Sequence, residues 1–274
     1  MRLMNLRPQR PLAVLLALLP FIALLLLYMT ASDARLAENP NDKLLPSMQS
    51  MVDAVQRLAF EEDRRSGEYI FWSDTAASLQ RLLIGIGISA SMALLAGVLL
   101  GTLPLARAVA GPVVAVVSMV PPLAILPILF IVFGLGELSK VVLIVIGTAP
   151  VMIRDMTQRV LDLPPEQAIK LQTLGGSSWH LMLRVVLPQV LPRLLSVIRL
   201  CLGSAWLFLI AAEAIAATEG LGYRIFLVRR YLSMDVILPY VLWITLLAWV
   251  MDLGLRKTSQ LMFPWFHAGQ ERNA

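Results

Sequence analysis

Residues 164–188 read PPEQAIKLQTLGGSSWHLMLRVVLP, and their pattern predicts two short helices joined by a glycine elbow. Pro165 suits the first position of a helix, where its missing N–H is not needed. Glu166 follows in the first turn, where the helix dipole favours an acid. The first helix should end at Gly175 and Gly176, because glycine readily adopts the left-handed backbone conformation that terminates helices.

The second predicted helix begins at Ser177 or Ser178, either of which can cap it, and ends at Pro188. One face carries apolar residues at the i, i+3, i+4, i+7 and i+8 positions, namely Trp179, Met182, Leu183, Val186 and Leu187. The residues alone leave two interpretations open. The segment is either an amphipathic hairpin that lies on a membrane surface or a device that docks a partner.

The composition around this stretch is that of an integral membrane protein. Of 274 residues, 58% are hydrophobic and 15% are charged, with a mean hydropathy of +0.76. Globular domains are about 45–50% apolar and about 25% charged. The single cysteine, Cys201, excludes an internal disulfide, and the widely separated His180 and His267 exclude a zinc-type ligand cluster. No metal or cofactor is therefore expected.

Six stretches are apolar enough to cross a bilayer, which takes a helix of about 20 residues. They are Leu12 to Thr30, Leu82 to Leu103, Pro112 to Phe133, Leu138 to Ile153, Leu194 to Ala217 and Val236 to Leu255. A cleaved signal peptide is the alternative for the first stretch, but its apolar run exceeds the usual length of about 7–15 residues. The sequence therefore predicts an all-α integral membrane protein with six transmembrane helices.

The distribution of lysine and arginine between the loops favours N- and C-termini on the inside of the membrane. With this orientation the net charge of the inner segments is positive and that of the outer segments is negative. The overall net charge of +5 then reflects membrane orientation, and no nucleic-acid partner is expected.

Four regions follow from the spans: residues 1–35 with the N-terminal tail and first span, an external segment 36–80, a core 81–257 with a cytoplasmic loop 158–192, and a C-terminal tail 258–274. In the external segment, MQSMVDAVQRLAF (Met48 to Phe60) has apolar residues at helical spacing and precedes the charged run Glu61 to Arg65. We expect an amphipathic helix packed on the outer membrane surface or on the spans, in preference to a docking element.

The loop resembles that of the permease subunits of binding-protein-dependent ABC importers, whose pattern is EAA, three residues, G, nine residues, I, any residue, LP. Gly175 and the Leu187-Pro188 pair lie at the family spacing, and Val185 occupies the isoleucine position. The EAA position falls on residues 169–171, so the glutamate of the family is absent. This departure concerns any contact made by that glutamate and leaves the helix-elbow-helix shape intact.

Two further stretches resemble the nitrate, sulfonate and taurine branch of these permeases: SMVPPLAILPILFIVFGLGELSK (Ser118 to Lys140) and WLFLIAAEAIAATEGLGYRI (Trp206 to Ile225). The resemblance covers nearly the whole chain from about residue 70 onward. It implies the type I ABC importer permease fold and a multi-pass protein of the bacterial inner membrane. The implied partners are a second permease copy in a homodimer, cytoplasmic ATPase subunits, an external solute-binding protein and the lipid bilayer.

By the same resemblance, residues 169–179 lie at the positions that insert into a groove of the ATPase. The implied coupling residues are Ile169, Lys170, Leu171, Gly175, Gly176, Ser177, Trp179 and Pro188. ATP-driven closure of the ATPase pair must move the spans, and a stiff short helix transmits a rigid displacement that a flexible loop cannot. The chain has no P-loop pattern GxxxxGK[ST], as expected of a subunit that hydrolyses nothing itself.

The third span contains Pro121, Pro122 and Pro127, each of which lacks a backbone donor. Helix breaks inside a membrane are tolerated where protein or a water-filled cavity surrounds them. The resemblance supports a role in lining the translocation pathway for Ser118, Met119, Pro121 and Pro122. A plain kink is the alternative.

Glu213 lies in the apolar run AAEAIAA, and ionisable residues within membranes mark functional sites. It is a candidate pathway residue. The alternatives are that it reaches the outer surface or pairs with a basic group such as Arg224 or Lys140. Arg199 and Asp252 are expected to be anchors at the inner boundary.

The second span has small residues at every fourth position, which align on one helix face and permit close backbone approach: Gly85, Ser89, Ala93, Gly97 and Gly101. Their partner is either another span of the same chain or the second permease copy. After the fifth span, Thr218 to Tyr223 with the arginines that follow predicts a short external loop. This loop either docks the binding protein or anchors to lipid headgroups.

As a permease, the chain would form the pathway for a small nitrogen- or sulfur-containing solute of nitrate, sulfonate or taurine type. A urea- or guanidine-like solute is the other possibility, because the loop and the region of spans five and six also resemble permeases associated with urea-carboxylase-type enzymes. A stand-alone secondary transporter is the alternative function, disfavoured because the proline pattern of span three has no second copy. A membrane-embedded enzyme is disfavoured because no nucleophile, base and metal constellation is visible.

Overall fold

The computed structural model describes residues 10–39, 42–63 and 67–266, and within these ranges the chain is helical with no β-strand. The described residues up to Phe71, with Val228–Val241, form one compact unit, and Trp72–Leu227, with the described residues from Leu242 onward, form another. Three parts of the predicted regions lie outside the described ranges: residues 1–9 of the N-terminal tail, Arg64 and Arg65 of the charged run, and the tail from His267 onward.

In the first unit, helix α1 (Arg10–Glu38) contains the first predicted span, and its apolar window is not buried against the rest of the chain. Two contacts tie the C-terminal half of α1 to the segment that follows it. The Tyr28 hydroxyl donates to the Pro46 carbonyl oxygen at 2.7 Å, and Arg35 pairs with Asp42 at 2.6 Å.

The predicted amphipathic helix is confirmed as α2 (Met48–Phe60). Ser47 caps it, because its hydroxyl oxygen accepts a hydrogen bond from the Ser50 N–H at 3.1 Å. The side chains of Met51, Ala54 and Ala59 are buried, as the helical spacing of the apolar residues requires.

In the described part of the chain, nine further α-helices follow, with one 3-10 turn and one π-helical turn between them. They are α3 (Ile70–Thr102), α4 (Pro104–Val117), a 3-10 turn (Pro122–Ile125) that leads into α5 (Leu126–Phe133), α6 (Glu137–Leu161), α7 (Pro165–Thr173), α8 (Ser178–His180), a π-helical turn (Leu181–Val186) that leads into α9 (Leu187–Ala216), α10 (Leu221–Arg229) and α11 (Met234–Met262).

Among the described residues, four helices are long and apolar enough to cross a membrane: α1, α3, the continuous helix Ser178–Ala216 and α11. The predicted span Pro112 to Phe133 is broken, because α4 and the segment Pro122–Phe133 are bent by 80° at the residues between them. If this pair counts as one span the total is five. The remaining predicted span lies in the 25-residue helix α6, and the count of six stays a prediction.

The small-residue face of α3 packs on α6 of the same chain, which answers the question that the sequence left open. A Cβ atom on Gly85 would lie 2.7 Å from the side chain of Ile144, and one on Gly97 would lie 2.5 Å from Met156. The small residues therefore let the backbones of α3 and α6 approach each other closely. Between these contacts, the Thr148 hydroxyl donates to the Ser89 hydroxyl oxygen at 2.8 Å.

The opposite side of α6 packs on α9. The ring of Phe208 occupies the space where a side chain on Gly147 would be. Leu143, Ala205 and Leu209 are completely buried. Helix α6 therefore lies between α3 and α9 in the second unit and contacts both of them.

Candidate functional site

The predicted glycine elbow is confirmed. Helix α7 ends at Thr173, and Gly175 adopts a positive φ of 77°, the left-handed conformation. The Gly176 N–H donates to the Leu171 carbonyl at 2.9 Å and the Gly175 N–H to the Gln172 carbonyl at 3.0 Å. These two bonds form a Schellman motif, which satisfies the last carbonyls of a helix.

Ser177 caps the second helix, as the sequence predicts. Its hydroxyl oxygen accepts from the His180 N–H at 3.4 Å, and the imidazole Nδ1 of His180 accepts from the Ser177 N–H at 3.4 Å. This reciprocal arrangement is a capping box with histidine in the position usually taken by glutamate or glutamine.

The expectation that Pro188 ends the second helix is wrong, because the helix continues without interruption to Ala216. A proline inside an α-helix removes one hydrogen bond and crowds the preceding turn. Here the preceding turn is π-helical, and the Leu187 N–H donates to the carbonyl of Met182, five residues earlier. The Gln189 side chain also donates to the Val185 carbonyl at 2.8 Å.

Most of the residues assigned to coupling are exposed. The exposed fractions of the Ile169, Leu174 and Trp179 side chains are 57%, 83% and 65%. We define the elbow surface by its exposed residues, which are Ile169, Lys170, Leu174, Gly175, Ser177 and Trp179. Leu171 and Gly176 are half-buried and form the inside of the turn, where a Cβ on Gly176 would lie 2.5 Å from the Leu171 side chain.

The elbow is fastened to the membrane helices. The Gln189 amide nitrogen on α9 donates to the Gln167 amide oxygen on α7 at 2.7 Å. A small cavity of about 200 Å³ is lined jointly by α3, α6, α7 and the π-helical turn, through Gly101, Thr102, Val160, Ala168, Leu181 and Val185 among others. The elbow surface therefore stands on the same packed body as α3 and α6.

The predicted pathway residues lie at the break between α4 and α5. Met119 is 75% exposed, Pro121 is exposed, and Pro122 is half-buried at the start of the 3-10 turn. The Ser118 hydroxyl donates to the Ala115 carbonyl at 2.7 Å and accepts from the Arg154 guanidinium at 2.8 Å. Arg154 lies on α6, so this helix supplies a cation to the break.

Glu213 is completely buried, with an exposed fraction of 0%. The alternative that it pairs with a basic group is confirmed, but the two examples named for it, Arg224 and Lys140, are wrong. Arg224 pairs with Asp74 at 2.8 Å, and Lys140 pairs with Glu137 at 2.6 Å.

The partners of Glu213 are Arg81, Ser78 and the backbone of Gly222. Arg81 Nη1 and the Ser78 hydroxyl each donate to Oε1 at 2.8 Å, and the Gly222 N–H donates to Oε2 at 2.8 Å. A buried charge is tolerated only when it is paired and hydrogen-bonded in this way.

Arg81 is 3% exposed and uses every donor of its guanidinium. Nε donates to Glu137, Nη1 to Glu213 and to the Glu219 carbonyl, and Nη2 to Glu137 and to the Glu219 carboxylate. One side chain therefore joins α3, α6, α9 and the turn after α9. We call this set of residues the outer cluster: Asp74, Ser78, Arg81, Glu137, Glu213, Glu219 and Arg224.

The segment after α9 is not the simple loop that was expected, because Leu221–Arg229 forms helix α10. The N–H groups at its start have no partners within the helix, and side chains of other helices bind them. The Gly220 N–H donates to Asp74 at 2.9 Å and the Leu221 N–H to Ser78 at 2.8 Å. Carboxylates at this end are also favoured by the helix dipole.

Sequence reasoning missed Asp74, Ser78 and Arg81, which it left at the edge of the external segment. Their spacing of four and three residues puts them on one face of α3, and this signal was available. The predicted anchors Arg199 and Asp252 form a two-point ion pair at 2.6 and 2.9 Å. Among the described residues, no group of three histidine, cysteine or acidic side chains is close enough to hold a metal ion.

The chain matches known proteins over most of its length. Residues 86–256 match the family described as binding-protein-dependent transport system inner membrane component. The taurine transport system permease protein TauC of Escherichia coli (strain K12) is 34% identical over 194 residues, covering 71% of this chain and 70% of TauC. The putative aliphatic sulfonates transport permease protein SsuC of the same organism is 29% identical over 223 residues, covering 81% and 82%.

A solved structure has the same fold. The inward-facing MetNI methionine ABC transporter aligns with a TM-score of 0.62 at 18% sequence identity, covering 73% of this chain and 99% of that chain. These relatives confirm the resemblance to the nitrate, sulfonate and taurine branch and the type I ABC permease fold. The chain belongs to the family of inner-membrane components of binding-protein-dependent transport systems.

Proposed function

We propose that this chain forms the translocation pathway of an ATP-driven importer and takes its motion from a separate cytoplasmic ATPase through the elbow surface. One observation carries the proposal. An exposed, rigidly capped elbow is joined without a break to a helix that runs from Ser178 to Ala216. This helix has 39 residues, or about 58 Å at 1.5 Å per residue.

The proposed coupling is mechanical. The Schellman motif satisfies the carbonyls of Leu171 and Gln172, and the capping box satisfies the N–H groups of Ser177 and His180. These bonds stiffen the turn, so the elbow would move as one piece. A groove of the ATPase would hold Ile169, Leu174 and Trp179, whose apolar side chains are exposed. Displacement of the elbow would be transmitted to α9 through the continuous helix Ser178–Ala216. The Gln167–Gln189 hydrogen bond would couple α7 to the same movement.

The proposed pathway runs along the break between α4 and α5. Ser118 and Met119 lie there, and Arg154 supplies a cation beside Ser118. A guanidinium is suited to sulfonate and other oxyanions, because its planar donors bind two oxygens at once. The names of the relatives TauC and SsuC favour a taurine- or sulfonate-type solute over a urea- or guanidine-like one.

In this proposal the elbow and both termini are cytoplasmic and the outer cluster lies at the opposite membrane face. Two permease copies, two ATPase subunits and an external solute-binding protein complete the transporter. The binding protein would dock near Glu219, whose side chain is 51% exposed. Glu213 would serve to hold the outer ends of the helices together and would not touch the solute.

Gly175 offers a test of coupling, since a Cβ there meets no atom within 4 Å and a substitution acts through φ alone. Valine at a positive φ is strained by about 1–3 kcal/mol, whereas asparagine tolerates this conformation. In vesicles that contain the permease, the ATPase and the binding protein, Gly175→Val should abolish solute-dependent ATP hydrolysis and uptake. Gly175→Asn should retain most of both.

Gly203→Ala is the matched control, because Gly203 lies within α9 and a Cβ there also meets open space. All three variants should purify as folded protein with wild-type melting behaviour. Full coupling in a folded Gly175→Val permease would refute the proposed role of the elbow. The solute class is tested separately, by thermal shift of the partner binding protein with taurine, alkylsulfonates, urea and guanidine.

A further inference from the structure

A polar pocket of about 300 Å³ lies between α9 and α11, at the end of α9 nearer the elbow. It is lined by Arg193, Ser196, Arg199, Arg256, Ser259, Gln260 and Phe266. None of these described lining residues is acidic. Neither the outer cluster nor the elbow surface nor the break between α4 and α5 includes any of them.

The pocket carries a positive charge. Of the arginines that line it, Arg199 is neutralised by Asp252 through two hydrogen bonds of 2.6 and 2.9 Å. Arg193 is held by a cation–π contact, with its guanidinium carbon 4.5 Å from the centre of the Phe266 ring. Arg256 is exposed beside them. Two guanidinium groups, two hydroxyls and a side-chain amide thus surround a space that fits a tetrahedral anion.

The position of the pocket along the helices matches the headgroup layer of a bilayer. Arg193 directly precedes the predicted span Leu194 to Ala217, and Arg256 directly follows the predicted span Val236 to Leu255. Trp265, next to Phe266, is 58% exposed, and tryptophan is enriched at this depth of the membrane. Basic pockets between helices at this level bind the headgroups of anionic lipids.

We infer that this pocket binds a phosphate group, with Arg193 and Arg256 as the charged donors and the Gln260 amide as a neutral one. The phosphate belongs either to an anionic phospholipid headgroup or to a free inorganic anion. The lipid headgroup and the free anion present the same phosphate chemistry to the pocket, and they can be distinguished by experiment. The inference rests on the membrane position proposed above for α9 and α11, and it is independent of the solute and of the elbow.

The test uses the complete transporter, purified with its ATPase subunits. Native mass spectrometry measures retention of phosphatidylglycerol against phosphatidylcholine, both supplied in the same mixed micelles. A second arm measures the melting temperature in detergent with and without inorganic phosphate. The variants are Arg193→Gln, Arg256→Gln and the double substitution. Lys257→Gln is the matched control, because Lys257 is exposed next to Arg256 and does not line the pocket.

We expect each pocket substitution to weaken retention of phosphatidylglycerol about fivefold and the pair to weaken it about 25-fold, from the contribution of one basic residue near a charged surface. Lys257→Gln should retain the lipid as the wild type does. Selective retention that inorganic phosphate does not compete assigns the phosphate to a lipid. Stabilisation of the wild type, but not of the double variant, by inorganic phosphate alone assigns it to a free anion.

Equal lipid retention by the double variant and Lys257→Gln, together with no effect of inorganic phosphate, would overturn the inference. Failure of the proposed function has a different signature. It would show as normal coupling in Gly175→Val, whatever the lipid content of the preparation.

Discussion

Arg81 and Glu213 lie 132 positions apart in the chain and form an ion pair, with 2.8 Å between Nη1 and Oε1. Both side chains are almost completely buried, with exposed fractions of 3% and 0%. The pair joins α3 to α9, and Gly220 covers it so closely that a Cβ there would lie 2.6 Å from the Glu213 carboxylate. These ends of α3 and α9 are therefore held together by a buried ion pair and by the Ser78–Glu213 hydrogen bond.

Arg81→Met should be strongly destabilising, because it leaves the Glu213 carboxylate buried without its cation. Removing one partner of a buried pair costs about 3–5 kcal/mol. The double variant Arg81→Met/Glu213→Leu should recover part of this loss, because no unpaired charge is left in it. Melting temperatures in detergent measure both effects. Glu219→Gln is the control and should remain near wild type, since that side chain is half exposed and 3.4 Å from Arg81.

Gly97→Leu should disrupt the packing of α3 on α6. A side chain on Gly97 would overlap Met156 and the backbone of α6, and overpacking costs about 1–3 kcal/mol or more. Gly87→Leu on the same helix should have little effect, because a Cβ on Gly87 meets no atom within 4 Å. The yield and melting temperature of the two purified variants give the comparison. Equal stability would contradict the α3–α6 contact.

Trp179→Ala should weaken binding of the ATPase without unfolding the permease, since the side chain is exposed in the isolated chain. A buried tryptophan at an interface contributes about 2 kcal/mol or more, roughly 30-fold in Kd. Titration of detergent-solubilised permease with the purified ATPase measures the change. Leu200→Ala is the control, because Leu200 is an exposed apolar residue of α9 outside the elbow surface.

Arg154→Gln should lower uptake of an anionic solute by removing the cation beside Ser118. Loss of one charge-assisted hydrogen bond costs about 1.5–3 kcal/mol, so uptake should fall at least tenfold. Arg159→Gln is the control, because Arg159 pairs with Asp155 one turn further along α6. Uptake of radiolabelled taurine by reconstituted vesicles is the readout. Equal rates in the two variants would remove Arg154 from the proposed pathway.

The elbow shows how far local sequence determines this protein. Gly175 needs a positive φ and Ser177 caps the next helix, and both roles follow from chemistry within a few residues. The ends of α2 and the close approach along Gly85 and Gly97 were predictable for the same reason. Spacing along one helix reports which residues share a face and how close a neighbour can come.

Which helix or side chain packs against a given face is decided by the tertiary structure. The partners of Glu213, the start of α10 and the course of the helix through Pro188 all depend on groups supplied from elsewhere in the chain or on a change of helical pitch. A charged side chain in an apolar run must find a partner, and the sequence by itself determines that need. The partner is selected by which helix ends the apolar packing of α3, α6 and α9 brings within hydrogen-bonding distance.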